Sequence, residues 1–255
     1  MTERSKKVSE CVSRVSAVFE SVHQRVNEWA PSVLAALEEP NISMDELDTV
    51  VKKLVSPELT SNTDELIGAG FVVAPNLLSD APWHLAWWLG ERNTFEATPG
   101  APAVRPLLTI DDPNAEGFRD YTTLEWWRVP AETKHMHITG PYVDYLCTDD
   151  YTMTLTVPLY VDSKLVGVIG ADQYVTDIER KVLPIMDSAR APLTLINAFG
   201  RVVLSTDPNT ATGTLLRYDG LSAALASQQD QVNLGNGDTV YRCSDTTLSI
   251  VQHAE

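Results

Sequence analysis

Residues 135–150 hold the densest group of side chains that could bind a metal ion. His135 and His137 would lie on one face of a strand, and Cys147 and two aspartates follow closely in sequence. Imidazole, thiolate and carboxylate groups are the usual protein ligands of transition metals. The spacing fits no established metal motif, so metal binding stays an alternative and we expect a site without a metal.

The sequence carries no motif of a known catalytic centre. It has no G-x-S-x-G nucleophile motif, no H-E-x-x-H zinc motif, no phosphate-binding P-loop and no G-x-G-x-x-G dinucleotide motif. Carboxylates are abundant, but their abundance in an acidic chain is no evidence for an acid–base pair. We therefore predict a protein that is not an enzyme and that uses no cofactor.

Charge and composition limit the partners. The 255 residues carry a net charge of −16, which repels nucleic acids and anionic membrane surfaces. Three cysteines without a C-x-x-C pair argue against a disulfide framework and favour a reducing compartment. The amino-terminal segment is polar, and no apolar run approaches the roughly 20 residues of a membrane span. We expect a soluble, cytoplasmic protein that binds a small molecule.

The first 60 residues predict helices. Apolar side chains return at alternating steps of four and three residues, which is the heptad seam of one long helix. The seam consists of Val8, Val12, Val15, Phe19, Val22, Val26, Trp29 and Val33. Pro31 would kink or end this helix. The seam could pack along its own domain or form a dimer, and we favour a homodimer. A second helix is predicted from Ser43 to Leu54, with Ser43 as N-cap and Glu46 completing a capping box.

From Gly68 onward the pattern predicts mainly strands of an α+β protein. The expected strands are 68–75, 82–91, 151–160, 163–172, two within 192–206, 238–245 and 247–253. Asp162 and Ser163 would form the tight turn of a central hairpin. Thr176 is the expected N-cap of a helix over 176–186, and a short helix is expected at 220–227.

One stretch of the sequence resembles the core of a Cache sensor domain. The motifs that carry the resemblance are Tyr142-Val143-Asp144, Val157-Pro158-Leu159-Tyr160 and Gly167-Val168-Ile169-Gly170-Ala171-Asp172. The pair Trp126-Trp127 resembles the Trp-Tyr pair that precedes these motifs in the family. NAFGRVVLSTDP, residues 197–208, resembles the start of the second, smaller module of double Cache domains. The resemblance extends over about residues 118–206.

The resemblance implies a fold and a division into domains. We expect a long N-terminal helix, then a PAS-like antiparallel sheet module that holds the ligand, then a smaller sheet module. The corresponding domains are an N-terminal helical segment 1–60, a ligand-binding module 61–187 and a second module 188–255.

The resemblance also implies which residues bind the ligand. In amine- and amino-acid-binding members, the aspartate that Asp172 matches accepts hydrogen bonds from the ligand ammonium. Tyr142 and Asp144 match a second set of contacts, and Trp126 matches an aromatic wall. Two carboxylates with aromatic faces form a coherent cation site, because charge-assisted hydrogen bonds contribute about 1.5–3 kcal/mol each. The expected ligand-binding residues are Trp126, Tyr142, Asp144, Asp172, Tyr121 and Trp127.

Leu124 departs from the family pattern. Amino-acid sensors place an arginine or lysine there to hold the ligand carboxylate, and an isobutyl group cannot replace a bidentate guanidinium. Amines without a carboxylate, such as biogenic amines or polyamines, are therefore the preferred ligands. The alternative is an amino-acid sensor in which Arg119 or Arg128 supplies a substitute clamp.

Each candidate also has a structural alternative. Asp172 could cap the helix that follows it, Tyr142 and Asp144 could be turn residues, and one of Trp126 and Trp127 would be core if they lie on a strand. The tryptophans at 83, 87 and 88 are expected in the core. At the level of the whole chain, the alternative is a structural or dimerisation protein without a ligand.

Overall fold

The computed structural model describes residues 3–61, 66–95, 100–143, 148 and 150–254. The chain forms two compact units. One consists of 1–22, 138–142 and 175–255, and the other of 23–137 and 143–174. The expected division at residues 60 and 187 stays a prediction.

The first helix, α1, runs from Glu3 to Leu37. Its heptad seam is buried within the single chain except at Val12, which is half-buried. Pro31 lies inside α1 and does not end it. A long helix that ends between residues 30 and 38 is therefore confirmed.

The larger sheet has six strands and the order β3-β2-β1-β6-β5-β4. The elements that follow α1 are α2 Met44–Leu59, β1 Leu66–Val73, β2 Leu85–Leu89, β3 Arg105–Pro106, α3 Glu125–Thr133, β4 His137–Val143, β5 Tyr151–Val161 and β6 Lys164–Tyr174. The pairs β1–β2, β2–β3, β1–β6 and β5–β6 are all antiparallel. The central position of the 151–172 hairpin is confirmed.

The hairpin turn between β5 and β6 is the tight turn that the sequence predicts. Asp162 and Ser163 have φ values of 49° and 65°. Positive φ at both central residues is the geometry of a type I′ turn, which matches the twist of the flanking strands. The turn pairs Val161 with Lys164, and a shift of one residue in the pairing between Leu159 and Tyr160 then places Thr154 opposite Asp172.

Two helices pack against the larger sheet. α2 packs against β1 and β2, and α3 packs against β5 and β6. Trp126 and Trp127 both lie in α3, not on a strand, and both are buried. The helix forms here because the carbonyl of Leu124 accepts the N–H groups of Trp127 and Arg128.

The unit that consists of 1–22, 138–142 and 175–255 contains a smaller antiparallel sheet with the order β8-β7-β11-β10-β9. Its elements are α4 Val175–Ser188, β7 Leu193–Ile196, β8 Val202–Ser205, α5 Leu221–Ala226, β9 Gln231–Asn233, β10 Thr239–Arg242 and β11 Ser249–Gln252. The α+β fold with two sheets is confirmed. Thr176 is not an N-cap, because β6 continues directly into α4 and Thr176 already lies in its first turn.

Within the described ranges, no helix is both long enough and apolar enough to cross a membrane.

Candidate ligand-binding site

Asp172 lies near the middle of the larger sheet. It is on β6, where it pairs with Gly68 of β1 on one side and with Thr154 of β5 on the other. Its side chain is only 2% exposed. The Thr154 hydroxyl donates to Oδ1 of Asp172 at 2.6 Å. Asp172 is therefore a buried carboxylate on a strand, and it does not cap the helix that follows.

The side chains of Asp172 and Trp87 lie close against the backbone of Gly68. A Cβ atom at this position would lie 3.0 Å from Oδ2 of Asp172 and 2.8 Å from Nε1 of Trp87. Side chains of residues paired directly across antiparallel strands lie on the same face of the sheet. The carboxylate and the indole nitrogen thus border the same bare patch of backbone.

Two buried polar atoms on this face have no hydrogen-bond partner among the described residues: Nε1 of Trp87 and the hydroxyl of Tyr174. Trp87 is 6% exposed and Tyr174 is 9% exposed. Tyr174 follows Asp172 by two residues on β6, and alternate residues of a strand share a face. Sequence reasoning assigned Trp87 to the core and did not select Tyr174, because neither residue matches a motif.

Aromatic side chains cluster around Tyr121. Its ring stacks on Trp126 with centroids 6.3 Å apart and meets Trp127 at 5.1 Å and Trp83 at 5.0 Å. The Tyr121 hydroxyl donates to the carbonyl of Val73 at 2.6 Å. Burial raises the pKa of Tyr121 well above its ordinary value. The hydroxyl thus anchors the residue to β1 as a neutral group.

Trp126 is tied to the strand that also holds Thr154. The Thr156 hydroxyl donates to the backbone carbonyl of Trp126 at 2.8 Å. Thr154 and Thr156 are two residues apart on β5 and therefore lie on the same face. The face that carries Asp172 is thus the face on which α3 places Trp126.

The remaining predicted residues are spread more widely. Tyr142 is half-buried on β4 and belongs to the compact unit that contains residues 138–142. Asp144 lies outside the described residues, as do Cys147 and Asp149. The structure therefore brings Asp172 and Trp126 to one sheet face, while the contributions of Tyr142 and Asp144 stay predictions.

The residues considered for a carboxylate clamp have no described contact with Asp172. Leu124 is half-buried at the start of α3. Arg128 is exposed and pairs with Glu132 at 3.1 Å along the same helix. Arg119 lines a cavity of about 210 Å³ together with Trp83 and Tyr121, and Asp172 is not part of that lining. Neither arginine has a described contact with Asp172.

The histidine pair does not form a metal centre within the described chain. His137 begins β4 and pairs with Glu125 at 2.9 Å, whereas His135 precedes the strand and is exposed. In the part of the chain that the structure describes, no group of three or more histidine, cysteine or acidic side chains could hold a metal ion.

Residues 107–180 match the family model described as methyl-accepting chemotaxis protein-like, first PDC sensor domain. No curated protein sequence matches this chain. The matched segment runs from the loop before Tyr121 to the start of α4 and includes Trp126 and Asp172. This segment, which carries the motifs of the Cache resemblance, is therefore similar to a chemoreceptor-type sensor domain.

Solved structures share the fold over nearly the whole chain. The periplasmic sensory domain of the Campylobacter jejuni chemoreceptor Tlp1 has a TM-score of 0.61 at 11% identity, covering 95% of this chain and 90% of that one. The ligand-binding domain of the Pseudomonas aeruginosa PAO1 amino acid chemoreceptor PctC, in complex with GABA, has a TM-score of 0.54 at 14% identity and 95% coverage of both chains. That of the Pseudomonas fluorescens chemoreceptor CtaA, in complex with L-valine, has a TM-score of 0.55 at 12% identity, with 96% and 92% coverage.

The fold is therefore that of PDC/Cache-type ligand-binding domains of chemoreceptors.

Proposed function

We propose that this chain is a sensor module that recognises a cationic amine-type ligand through Asp172. One observation carries the proposal: a carboxylate that is 2% exposed borders the bare backbone of Gly68 at the middle of the sheet. A ligand ammonium placed there would form charge-assisted hydrogen bonds with the carboxylate. Trp126, on the same face, supplies an aromatic surface for the rest of the ligand.

Burial makes the carboxylate selective for cations. Moving a charged group out of water is costly unless an opposite charge or hydrogen bonds compensate it. Thr154 supplies one such hydrogen bond to Oδ1. A ligand ammonium would add the compensating charge, whereas an anionic ligand would be repelled.

Leu124 supports an amine over an amino acid. The side chain at the position of the family's carboxylate clamp is apolar, and Arg128 points into an exposed pair with Glu132. The complexes with GABA and L-valine belong to the related proteins. For this chain we propose a biogenic amine or a polyamine-like compound.

Calorimetric titration of three proteins tests the proposal: the wild type, Asp172→Asn and Leu124→Arg. The ligands are isobutylamine and its parent amino acid L-valine, followed by the same pairs for other side chains. Asp172→Asn keeps the shape but removes the charge, so we expect a loss of about 1.5–3 kcal/mol for the amine, roughly ten- to a hundred-fold in affinity. Leu124→Arg should shift the preference towards the amino acid.

Two results would contradict the amine site. One is a wild type that prefers the amino acid over its amine. The other is an Asp172→Asn variant that binds the amine with undiminished affinity while its thermal unfolding is unchanged.

The cytoplasmic location expected from the charge, cysteine content and polar start of the sequence stays a prediction. Solved domains that share the fold are described as periplasmic or extracellular.

A further inference from the structure

We infer that Trp87 and Tyr174 form a subsite for an oxygen acceptor next to Asp172, so that the ligand carries such an oxygen close to its ammonium group. The inference rests on the proposed binding of the ligand ammonium at Asp172. It adds a ligand oxygen as the second group that the site recognises. The shared chemistry is an ammonium with a neighbouring hydroxyl, carbonyl or carboxylate oxygen.

Trp87 needs an acceptor. An indole Nε1–H can only donate a hydrogen bond, and a buried donor without a partner is costly. Trp87 is 6% exposed, and no acceptor for its Nε1 occurs among the described residues. Buried polar atoms of this kind in native proteins call for a functional or solvent explanation.

The indole nitrogen lies close to the Asp172 carboxylate. Nε1 of Trp87 and Oδ2 of Asp172 lie 2.8 Å and 3.0 Å from one point, the position of the Cβ that Gly68 lacks. The two atoms are therefore no further apart than the sum of these distances, so neighbouring groups of one small ligand can contact both. The donor and the acceptor of the protein are close enough to recognise two adjacent groups of one molecule.

Tyr174 extends the subsite along β6. It lies two residues from Asp172 on the same face, and its buried hydroxyl has no hydrogen-bond partner in the described chain. A phenol can donate a hydrogen bond to a ligand oxygen. Two unpartnered buried groups, on different strands, therefore flank one carboxylate.

The arrangement discriminates between kinds of amine. A simple alkylamine has donors only, so it could satisfy Asp172 but would leave the Trp87 N–H unpaired. An amino alcohol or an amino acid supplies both a donor and an acceptor. Because Leu124 removes the usual carboxylate clamp, we expect the neutral oxygen of an amino alcohol to suit the site best.

The test uses matched triples, each consisting of an amine, the amino alcohol and the amino acid with the same side chain, for example isobutylamine, L-valinol and L-valine. A thermal-shift screen over triples with the common side chains selects the best one, and calorimetry measures it on the wild type, Trp87→Phe and Tyr174→Phe. Trp88→Phe is the matched control, because Trp88 neighbours Trp87 on β2 but points to the opposite face.

We expect the wild type to bind the amino alcohol about tenfold more tightly than the matching amine. Trp87→Phe should abolish this preference while changing amine binding little, Tyr174→Phe should reduce it, and Trp88→Phe should keep it. A merely structural role of Trp87 would instead weaken all three compounds alike.

The outcomes separate the two proposals. If Asp172→Asn weakens binding but the preference survives in Trp87→Phe, the subsite is refuted and the amine site stands. If the preference vanishes in Trp87→Phe but the wild type favours the amino acid over the amino alcohol, the subsite stands and the proposed exclusion of amino acids fails. If no compound of any triple binds, both proposals are wrong.

Discussion

Gly68 contributes to the candidate site by having no side chain. The space that a Cβ would occupy is bordered by Trp87 and Asp172, whose polar atoms lie within about 3 Å of it. Gly70, two residues further along β1, has another role. A Cβ there would lie 2.2 Å from the carbonyl oxygen of Ala86 and 2.6 Å from Cα of Trp87, so its absence lets β1 and β2 pair.

These two glycines predict different mutant phenotypes. Gly68→Ala places a methyl group against two polar side chains, so we expect at least a tenfold loss of affinity for the best compound of the screen with a modest loss of stability. Gly70→Ala meets backbone atoms that cannot move aside, so we expect destabilisation by a few kcal/mol. Calorimetry measures the affinity, and thermal denaturation measures the stability.

The comparison between the two variants is decisive for the location of the site. A Gly68→Ala protein that binds as tightly as the wild type would place the ligand elsewhere. A Gly68→Ala protein that unfolds as readily as Gly70→Ala would make Gly68 a packing residue.

At the scale of elements, α2 shows how local sequence fixes a helix start. Ser43 accepts a hydrogen bond from the Glu46 N–H at 3.3 Å, and the Glu46 carboxylate accepts one from the Ser43 N–H at 2.9 Å. The Ser43 hydroxyl also donates to the Glu46 carboxylate at 2.8 Å, and the two bonds from Ser43 to this carboxylate hold the pKa of Glu46 below its ordinary value. The capping box predicted from the sequence is thereby confirmed, and the helix runs five residues beyond the predicted Leu54.

We predict that the cap stabilises the chain measurably. Ser43→Ala removes the side-chain acceptor and should lower the free energy of unfolding by about 1 kcal/mol, within the usual range of roughly 0.5–2. Ser56→Ala is the control, because Ser56 lies inside the same helix and alanine favours helix interiors. Urea denaturation measures both, and equal stability of the two variants would show that the cap contributes nothing.

α3 is the element that sequence patterns missed. It has nine residues, contains Pro130 and begins at Leu124 without a side-chain cap. The adjacent pair Trp126-Trp127 fits a strand as well as a helix, and both residues are buried because the sheet and Tyr121 surround this short helix. Tertiary packing, not local preference, therefore decides the structure here.

At the scale of the whole molecule, the burial of the heptad seam of α1 determines which surface a homodimer could use. Val8, Val15 and Val26 are fully buried in the single chain. The seam therefore needs no partner helix, and a homodimer would use another surface. Light scattering at micromolar concentration should give twice the chain mass of 28.1 kDa if our proposal of a homodimer holds.

A substitution in the seam separates folding from assembly. Val15→Asp buries an unpaired charge, so we expect it to unfold the chain at every concentration instead of producing a folded monomer. If the wild type has the mass of a single chain, the homodimer is refuted. If Val15→Asp gives a folded monomer, the seam forms the dimer interface after all.

The sequence by itself determined the elements whose signals are local. The heptad spacing of α1, the capping box of α2, the Asp162-Ser163 turn and the alternation in β5 and β6 each depend on neighbouring residues, so their structures were predictable. The position of Asp172 on β6 was predictable too, because it ends a recognisable strand motif. These signals were sufficient for the α+β class and the sensor-type fold.

Only the tertiary structure decided what surrounds Asp172. The contacts among Gly68, Trp87 and Asp172 join residues from three strands, and no spacing in the sequence encodes the register that aligns them. A buried tryptophan looks the same in a sequence whether its indole nitrogen has a partner or not. The unpartnered polar atoms, and with them the proposed oxygen subsite, emerge only when the strands pair.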